Sequence, residues 1–529
     1  MNNKEKGGAF MYSVRLPLQV NANIRPVMEK RFRILAHISN QTRKRAKRLL
    51  SKLKHDELYQ KMLQEYIQLK KLNSEDKKTE ADIRRLKKAL NETREAIGLT
   101  KSGLEAYAAV MQRRYKKNLS SHQVQAEVSH IWRGVEAVLF WDGSDIHYKK
   151  ERDFRTIPGK SAKNGAVIHF DENENERRID CYVTWNKLTI PVKYNVAKVD
   201  MKDGKNYLNE ALSSGPIKYC EIERLWFHSG YKYYVVLYID GTAPKKIMPG
   251  SSTMGLDEGP STVAAVSETA VFLEELAPKC KQYNKQITRL QRQIDRSVRQ
   301  SNPDKYNPDG TCKKKTECQN RNWTFSKACL QKRAKLRELY RKKSDYTKCQ
   351  HETLLNKMIQ DASVFVNEPM EFKALAKRSK QTKRQEKPSE ITKPDGTKKL
   401  VHKYKRKKRF GKSINDRSPG LLKERLKQKC SQYGLLYLET DKWNYCASQY
   451  RHDNDDYQKT ALSERFKVIA GCMVQRDLYS GFLQSCMETP EKPDRNKCIK
   501  QFDNFVKMQE ALITNMKESG KSFPSCFGF

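Results

Sequence analysis

No two of the 13 cysteines stand at C-x-x-C spacing. Their number is odd and they are scattered along the chain, so a disulfide framework is excluded and free thiols in a reducing cytosol are expected. No run of about 18 apolar residues occurs and no signal-peptide core follows the N-terminus, so a soluble intracellular protein is expected, with no membrane partner. The G-x-x-x-x-G-K-[ST] loop and any helicase signature are missing, which leaves ATP use without support. No internal repeat is present. Negative charge is also scarce, with 62 Asp and Glu against 105 Lys and Arg, a formal net charge of +43 over 529 residues. Such an excess self-repels and is best tolerated when a polyanion neutralises it. Long nucleic acid is the obvious partner, because phosphate neutralisation releases counterions. An anionic membrane surface and a generic basic role, such as a ribosomal component, are the rival readings. At roughly 100–200 residues per domain, the length suggests about three domains.

Phe10 to Val20 alternates like a strand. From about Arg25 to Val138 the period is helical, with helices expected at Lys30 to Leu53, Asp56 to Leu72, Glu75 to Ile97, Ser102 to Tyr115 and His122 to Leu139. Strand patterns return at Ile146 to Tyr148, Phe154 to Ile157, Arg178 to Trp185, Leu188 to Val192, Ile217 to Glu223 and Tyr231 to Ile239. These, with residues 10–20, read as a β-barrel interrupted by a helical insertion. Beyond Met254 the pattern is α/β. Long helices are expected at Leu273 to Ser297 and Thr324 to Met358, and strands at Ala362 to Glu368 and Leu435 to Glu439. Further helices are expected at Leu421 to Tyr433 and Ser463 to Cys486. Residues 371–412 carry 17 Lys and Arg against 4 Asp and Glu, the composition of a mobile nucleic-acid-contacting loop. The tail beyond Glu491 is polar, with a helix expected near Phe502 to Met516, and carries no functional signal.

Residues 252–267 read STMGLDEGPSTVAAVS. Asp257 lies in an apolar β-type run, ahead of the Glu258-Gly259-Pro260 turn. A buried charge costs several kcal/mol unless it is paired or binds a metal. Alone, the segment is equally an ordinary hairpin and a metal-bearing strand. Glu368 ends a second apolar strand, and Asp477 sits on a late helix beside Arg476. The spacings of 111 and 109 residues put each acid on a separate element. Two-metal phosphodiester hydrolysis needs such a set, holding two Mg²⁺ about 3.5–4 Å apart through oxygen ligands.

MGLDEGPSTVAAVS, VFVNEPMEFKAL and VQRDLYSGFL resemble the three split RuvC motifs of TnpB, the transposon-encoded RNA-guided nuclease, and equally those of compact type V CRISPR effectors. HYKKERDFRTIPGK and IKYCEIERLWFHSGYKYYVVLYI are similar to the family's wedge-domain strands. The likeness runs through roughly residues 140–485; the helical module matches only in character. It implies a multidomain α+β protein. Residues 1–24 and 143–250 would form the wedge barrel, and 25–142 an inserted helical recognition domain. Residues 251–440 and 471–490 would form an RNase H-like α/β RuvC domain, with 441–470 a degenerate zinc-ribbon insertion and 491–529 a tail. Asp257, Glu368 and Asp477 would be the catalytic ligands of two Mg²⁺, and Arg465 the basic residue near the active-site lid. Guide RNA and target DNA would be the partners, in a prokaryotic cytosol or nucleoid, as monomer or homodimer. Base pairing would read sequence while the protein reads shape and a short adjacent motif.

The family's zinc ribbon is where this chain departs. Cys446 and Cys472 stand alone, and two thiols do not complete a tetrahedral zinc site, even if His452 adds a third ligand. Loss of zinc is therefore expected. Cys312, Cys318, Cys329 and Cys349 have non-zinc spacing. Trp132, Trp141, Trp185, Trp226, Trp323 and Trp443 could stack on bases, with core packing the default. The run Lys403 to Arg409 is expected to touch nucleic acid. The resulting expectation is an RNA-guided DNA endonuclease. A nuclease-inactive RNA-guided binding protein is the alternative, and a guide-independent resolvase the third.

Overall fold

The structure is a computed structural model that describes residues 11–72, 77–140, 143–173, 178–193, 207–227, 230–314, 316–318, 322–376, 388–392, 397–401, 410–441, 445–461 and 463–529. Trp141, Lys403 to Arg409 and Trp443 lie outside the described residues. The chain divides into two compact units, Met1–Pro244 and Lys245–Phe529. Among the described residues, no helix is long and apolar enough to cross a membrane.

The first unit opens with β1 (Met11–Pro17). Five helices follow: α1 (Ile24–His55), α2 (Glu57–Leu72), α3 (Lys77–Ala96), α4 (Lys101–Arg114) and α5 (Ser121–Phe140). The remaining elements are β2 (Thr156–Ile157), β3 (Ala166–Asn173), β4 (Arg178–Trp185), β5 (Leu188–Pro191), α6 (Tyr207–Ser213), β6 (Ile217–Phe227) and β7 (Gly230–Asp240). The strands form two antiparallel sheets, ordered β1-β7-β6-β2 and β3-β4-β5. A Leu18–Val192 bridge joins them at one edge; among the described residues no ladder closes the other edge into a full barrel. Residues 146–148 form no strand. Asn40 of α1 instead holds this stretch, bonding the Lys149 backbone at 2.8 and 3.1 Å. The inserted helices and the strands share one apolar core. Two buried arginines fasten α1 into it. Arg31 donates to the Trp185 carbonyl at 2.9 Å and lies 4.3 Å over that indole. Arg224 is held between Phe32 and Tyr231, at 4.2 and 4.5 Å from the ring centres. Trp185 is thus a core residue, fully buried.

The second unit begins with β8 (Ser252–Glu258), β9 (Thr262–Val266) and β10 (Val271–Glu275), a consecutive antiparallel set. The long α7 (Cys280–Ser301) and α8 (Lys327–Asp361) lead to β11 (Ala362–Asn367). Then come α9 (Phe372–Ala376), a small hairpin β12 (Ser389–Thr392) and β13 (Lys398–Val401), α10 (Gly411–Arg417), α11 (Pro419–Tyr433) and β14 (Leu436–Glu439). The sheet order is β10-β9-β8-β11-β14, with β11 parallel to both neighbours. Two short hairpins follow, β15 (Tyr450–Arg451) with β16 (Asp456–Tyr457), and β17 (Phe466–Ile469) with β18 (Cys472–Gln475). The unit ends on α12 (Arg476–Ser485) and α13 (Arg495–Glu518).

Strand alternation sorts the core into two layers. Ala264, Val266 and Val366 face a cluster built from α12 and α13; Met254, Leu256, Val263, Ala265 and Phe365 face α8 and α11. Covered on both sides, β9 is buried along its whole length. Three sequence-based boundaries change. Leu273 belongs to β10, so the helix begins at Cys280. The stretch 463–486 is not one helix but the β17–β18 hairpin followed by α12, because Ala470 and Gly471, at φ of 46° and 79°, make a two-residue turn. The tail helix is also longer than expected, and Phe502, Phe505 and Phe527 are core residues of the α12 layer.

The α8 layer holds one group that responds to acid. His351 is 1 % exposed, and burial lowers its pKa from the usual 6.5 to about 4. A depressed histidine contributes stability that is present above about pH 6.5 and lost as pH falls towards 4, by roughly 3 kcal/mol at most. His351→Leu should therefore move the acid-unfolding midpoint of the second unit downwards by several tenths of a pH unit or more. Circular dichroism between pH 3 and 7 checks this; an unmoved acid limb would contradict it.

Candidate functional site

The three acidic positions arrive from three elements. Asp257 is the penultimate residue of β8 and lies on the α12 face, in phase with Gly255. In the parallel β8–β11 pairing Asn367 stands opposite Leu256. Glu368 follows directly on β11, one residue past that pair, and its charge reaches Asp257. Asp477 comes from the other layer, in the first turn of α12.

The approach of α12 to β8 is close because two glycines meet. A Cβ on Gly255 would overlap the Gly481 carbonyl oxygen and lie 2.7 Å from the Gln484 carbonyl carbon. A Cβ on Gly481 would lie 3.2 Å from the Gly255 oxygen. From this crossing Asp477 is four residues back along the helix, about 6 Å of rise. Asp257 is two residues along the strand, about 6.6 Å. The same geometry lets Gln484 accept the Leu256 N–H at 3.2 Å. The start of α12 is fixed twice over. Gln475 caps it by accepting the Leu478 N–H at 2.7 Å. Gln509 of α13 braces the strand before it, accepting from the Gln475 N–H at 3.1 Å and donating to the Met473 carbonyl at 2.8 Å.

Gathered carboxylates repel one another. Burial pushes the Asp257 carboxyl well above the usual range; the charges of Asp477 and then Glu368 push it further, and Arg476 opposes them. Arg476 stands on Asp477 itself, its Nε and Nη2 3.3 and 3.2 Å from Oδ1. Among the described residues, no three His, Cys, Asp or Glu side chains are drawn together tightly enough to hold a metal ion as they stand. The donor set nonetheless fits a hard divalent cation: all oxygen, mutually repelling, and answered by one guanidinium.

Arg465, just before β17, joins the same neighbourhood. Its carbonyl accepts the Arg476 N–H at 2.9 Å. The Cys526 thiol, raised chiefly by burial and lowered by Thr262, feels the charges of both Asp477 and Arg465.

On the opposite face of the same strand ends lies a polar group that the sequence did not reveal. Glu258 is 3 % exposed and burial raises its pKa to about 7; hydrogen bonding by Asn367 opposes the rise. Asn367 donates to the Tyr437 hydroxyl at 3.1 Å, and Glu439 is paired with Lys423 and Lys427 at 2.9 and 3.0 Å. The signal was present in the alternation, since neighbours on a strand point to opposite faces and only Asp257 of the DE pair can face α12.

The expected ribbon is a small module with a polar and aromatic interior. His452 is buried, with Nδ1 2.8 Å from the Tyr479 hydroxyl and its ring 4.7 Å from Phe502. It is thus a core residue, and among the described residues no group of three possible metal ligands forms around it. The Cys446 thiol lies 3.4 Å from the Ser448 hydroxyl. Arg451 forks onto Asp453 at 3.2 and 2.7 Å. Arg495 of α13 donates to the His452 and Asp453 carbonyls, both at 2.7 Å. The Lys467 ammonium donates to the Ser448 carbonyl.

No protein-family model matches the chain, and no curated protein does. Among solved structures it is similar to a Cas12f1–sgRNA–target DNA complex, at 11% identity and a TM-score of 0.42, covering 89% of this chain and 98% of that one. It is also similar to a CRISPR-Cas12f ternary complex, at 13% identity and a TM-score of 0.23, covering 91% and 100%. A Cas12i–crRNA–double-stranded DNA complex matches at 10% identity and a TM-score of 0.25, covering 81% and 56%.

Proposed function

We propose that the protein is an RNA-guided, Mg²⁺-dependent DNA endonuclease with a single RuvC-type site. The observation that supports it most is the convergence of Asp257, Glu368 and Asp477 from β8, the end of β11 and the start of α12, close enough for Asp257 to feel both others. The strand order, antiparallel then parallel through helices, fits the RNase H-like domain that the motifs imply.

Asp257, Glu368 and Asp477 would hold the metal. Bound there, Mg²⁺ would offset the charge that develops on the attacked phosphodiester and on the departing 3′ oxygen. Asp257, near the end of β8, and Glu368, directly after β11, would offer two donors from the sheet edge. Arg476 neutralises Asp477 and keeps its carboxylate at the mouth of the site. Arg465 offers a cation to a phosphate lying against Asp477. The +43 charge supplies the sequence-independent hold on guide and target. The hairpin module folds in this reading without zinc, its place taken by the Arg451–Asp453 fork, the Lys467–Ser448 contact and the His452–Tyr479 core.

A second reading, a nuclease-inactive RNA-guided DNA-binding protein, draws on the hold of Arg476 on Asp477. One preparation separates them. Protein purified from a cell that carries its locus should bring down a discrete RNA, whose sequence tells a transposon-end transcript from a CRISPR transcript. Reloaded with a matching guide, it should cut DNA in Mg²⁺ to 5′-phosphate ends and contain no stoichiometric zinc. Guided binding without cutting would favour the second reading, and binding indifferent to guide sequence would sink both.

A further inference from the structure

The segment after α13 has no place in the sequence motifs, yet it reaches the carboxylate site. Phe527 is fully buried in the α12 layer. Phe523, Phe527 and Phe529 form a three-ring cluster with centres 5.9–6.2 Å apart. Those rings anchor a single turn, Ser525–Phe527, which ends on Gly528 at φ +91°. Gly528 lies against Arg465, the residue proposed to supply a cation to the site. A Cβ added there would stand 2.7 Å from the Arg465 Cβ and 2.7 Å from the Phe466 ring. Arg465 thus packs close to the Gly528 backbone, and its own carbonyl accepts the N–H of Arg476, the neighbour of Asp477.

We infer that residues Phe523–Phe529 are a positioning strap that holds Arg465 at the rim of the carboxylate site. The charge environment of Cys526 agrees, since its thiol is in reach of Arg465, Asp477 and Thr262 together. Thr262 closes the turn after Asp257, its carbonyl accepting the Gly259 N–H at 2.9 Å. The strap thus bonds Thr262, packs against Arg465 and feels the charge of Asp477 from one short segment. A bulkier or displaced strap moves the Arg465 side chain while leaving the three carboxylates on their own elements.

The inference rests on the nuclease reading, and the test keeps the two apart. Guide-programmed cutting is measured for the parent, Asp257→Ala, Gly528→Ala, Arg465→Ala, the Gly528→Ala/Arg465→Ala pair and Gly520→Ala. Gly520 also has positive φ, +65°, but a Cβ there meets nothing within 4 Å, so this variant controls for backbone strain alone. Gly528→Ala should cut about tenfold more slowly, a misplacement effect, with guided DNA binding unchanged. In the Arg465→Ala background it should add nothing, the mark of two residues acting through one. Gly520→Ala should cut like the parent. The inference is overturned if Gly528→Ala cuts at the parent rate, if it slows no more than Gly520→Ala, if Arg465→Ala has no effect, or if the two losses multiply. A parent that cuts no DNA overturns the nuclease reading and this inference with it; a parent that cuts while Asp257→Ala does not upholds the reading whatever Gly528 does.

Discussion

Asp257→Ala should abolish DNA cutting while leaving guide-directed DNA binding within about twofold of the parent. Each step of the expectation follows from position. The carboxylate is at the end of a strand whose other side chains make the core, so its removal opens no cavity in the apolar layers. It also relieves repulsion, because Asp257 carries the unfavourable charges of Asp477 and Glu368. Folding stability should be unchanged or slightly higher. Cutting should fall by on the order of 10³-fold or more, since a catalytic cation supplies several kcal/mol of charge stabilisation and about 1.4 kcal/mol is a factor of ten. The measurement is single-turnover cleavage in Mg²⁺ beside a filter-binding curve with the same guide. Cutting that persists at a tenth of the parent rate would remove Asp257 from the site.

Gly255→Ala should be strongly damaging to the second unit. Its Cβ would overlap the backbone of α12 at Gly481 and Gln484, where no side chain can turn aside. The helix must lift from the strand or the strand must bend. Overpacking of this kind costs up to about 3 kcal/mol and occasionally more, or roughly 10 °C in the melting of a unit this size. Cutting should fall further than stability does, because the displaced helix carries Asp477. Gly481→Ala meets the Gly255 oxygen at 3.2 Å and should be milder on both counts. Thermal melts and cleavage rates of the two variants, compared at a temperature where both are folded, check the order; equal or reversed effects would refute the crossing as the critical contact.

The apolar β-type runs that lead to Asp257 and Glu368 were legible because each ends in an acid beside a turn signal. The hairpin ahead of Asp477 was not. In the β17–β18 hairpin the polarity is inverted: Lys467 is buried, bonded to the Ser448 carbonyl, while Val468 and Met473 face solvent. Its turn also begins on an alanine at positive φ, a position that sequence does not mark. The carboxylates were thus readable one by one, whereas their meeting depends on two glycines 226 residues apart. The strap was hidden for a different reason. Phe523, Phe527 and Phe529, spaced by four and two residues, keep to no single strand or helix period, and the surrounding Lys, Ser, Pro and Gly read as an ordinary tail. Glu258 was passed over because a DE pair beside a turn looks doubly solvated until the sheet is seen covered on both faces.

Gln475 is both the last residue of β18 and the cap of α12. No loop separates the hairpin module from the helix that bears Asp477, so the two form one lever. The carboxylates therefore divide into a fixed pair, set by the sheet, and a third riding on an arm whose far end is the module. A displacement of the hairpin should therefore show first in the alignment of Asp477 with Asp257 and Glu368.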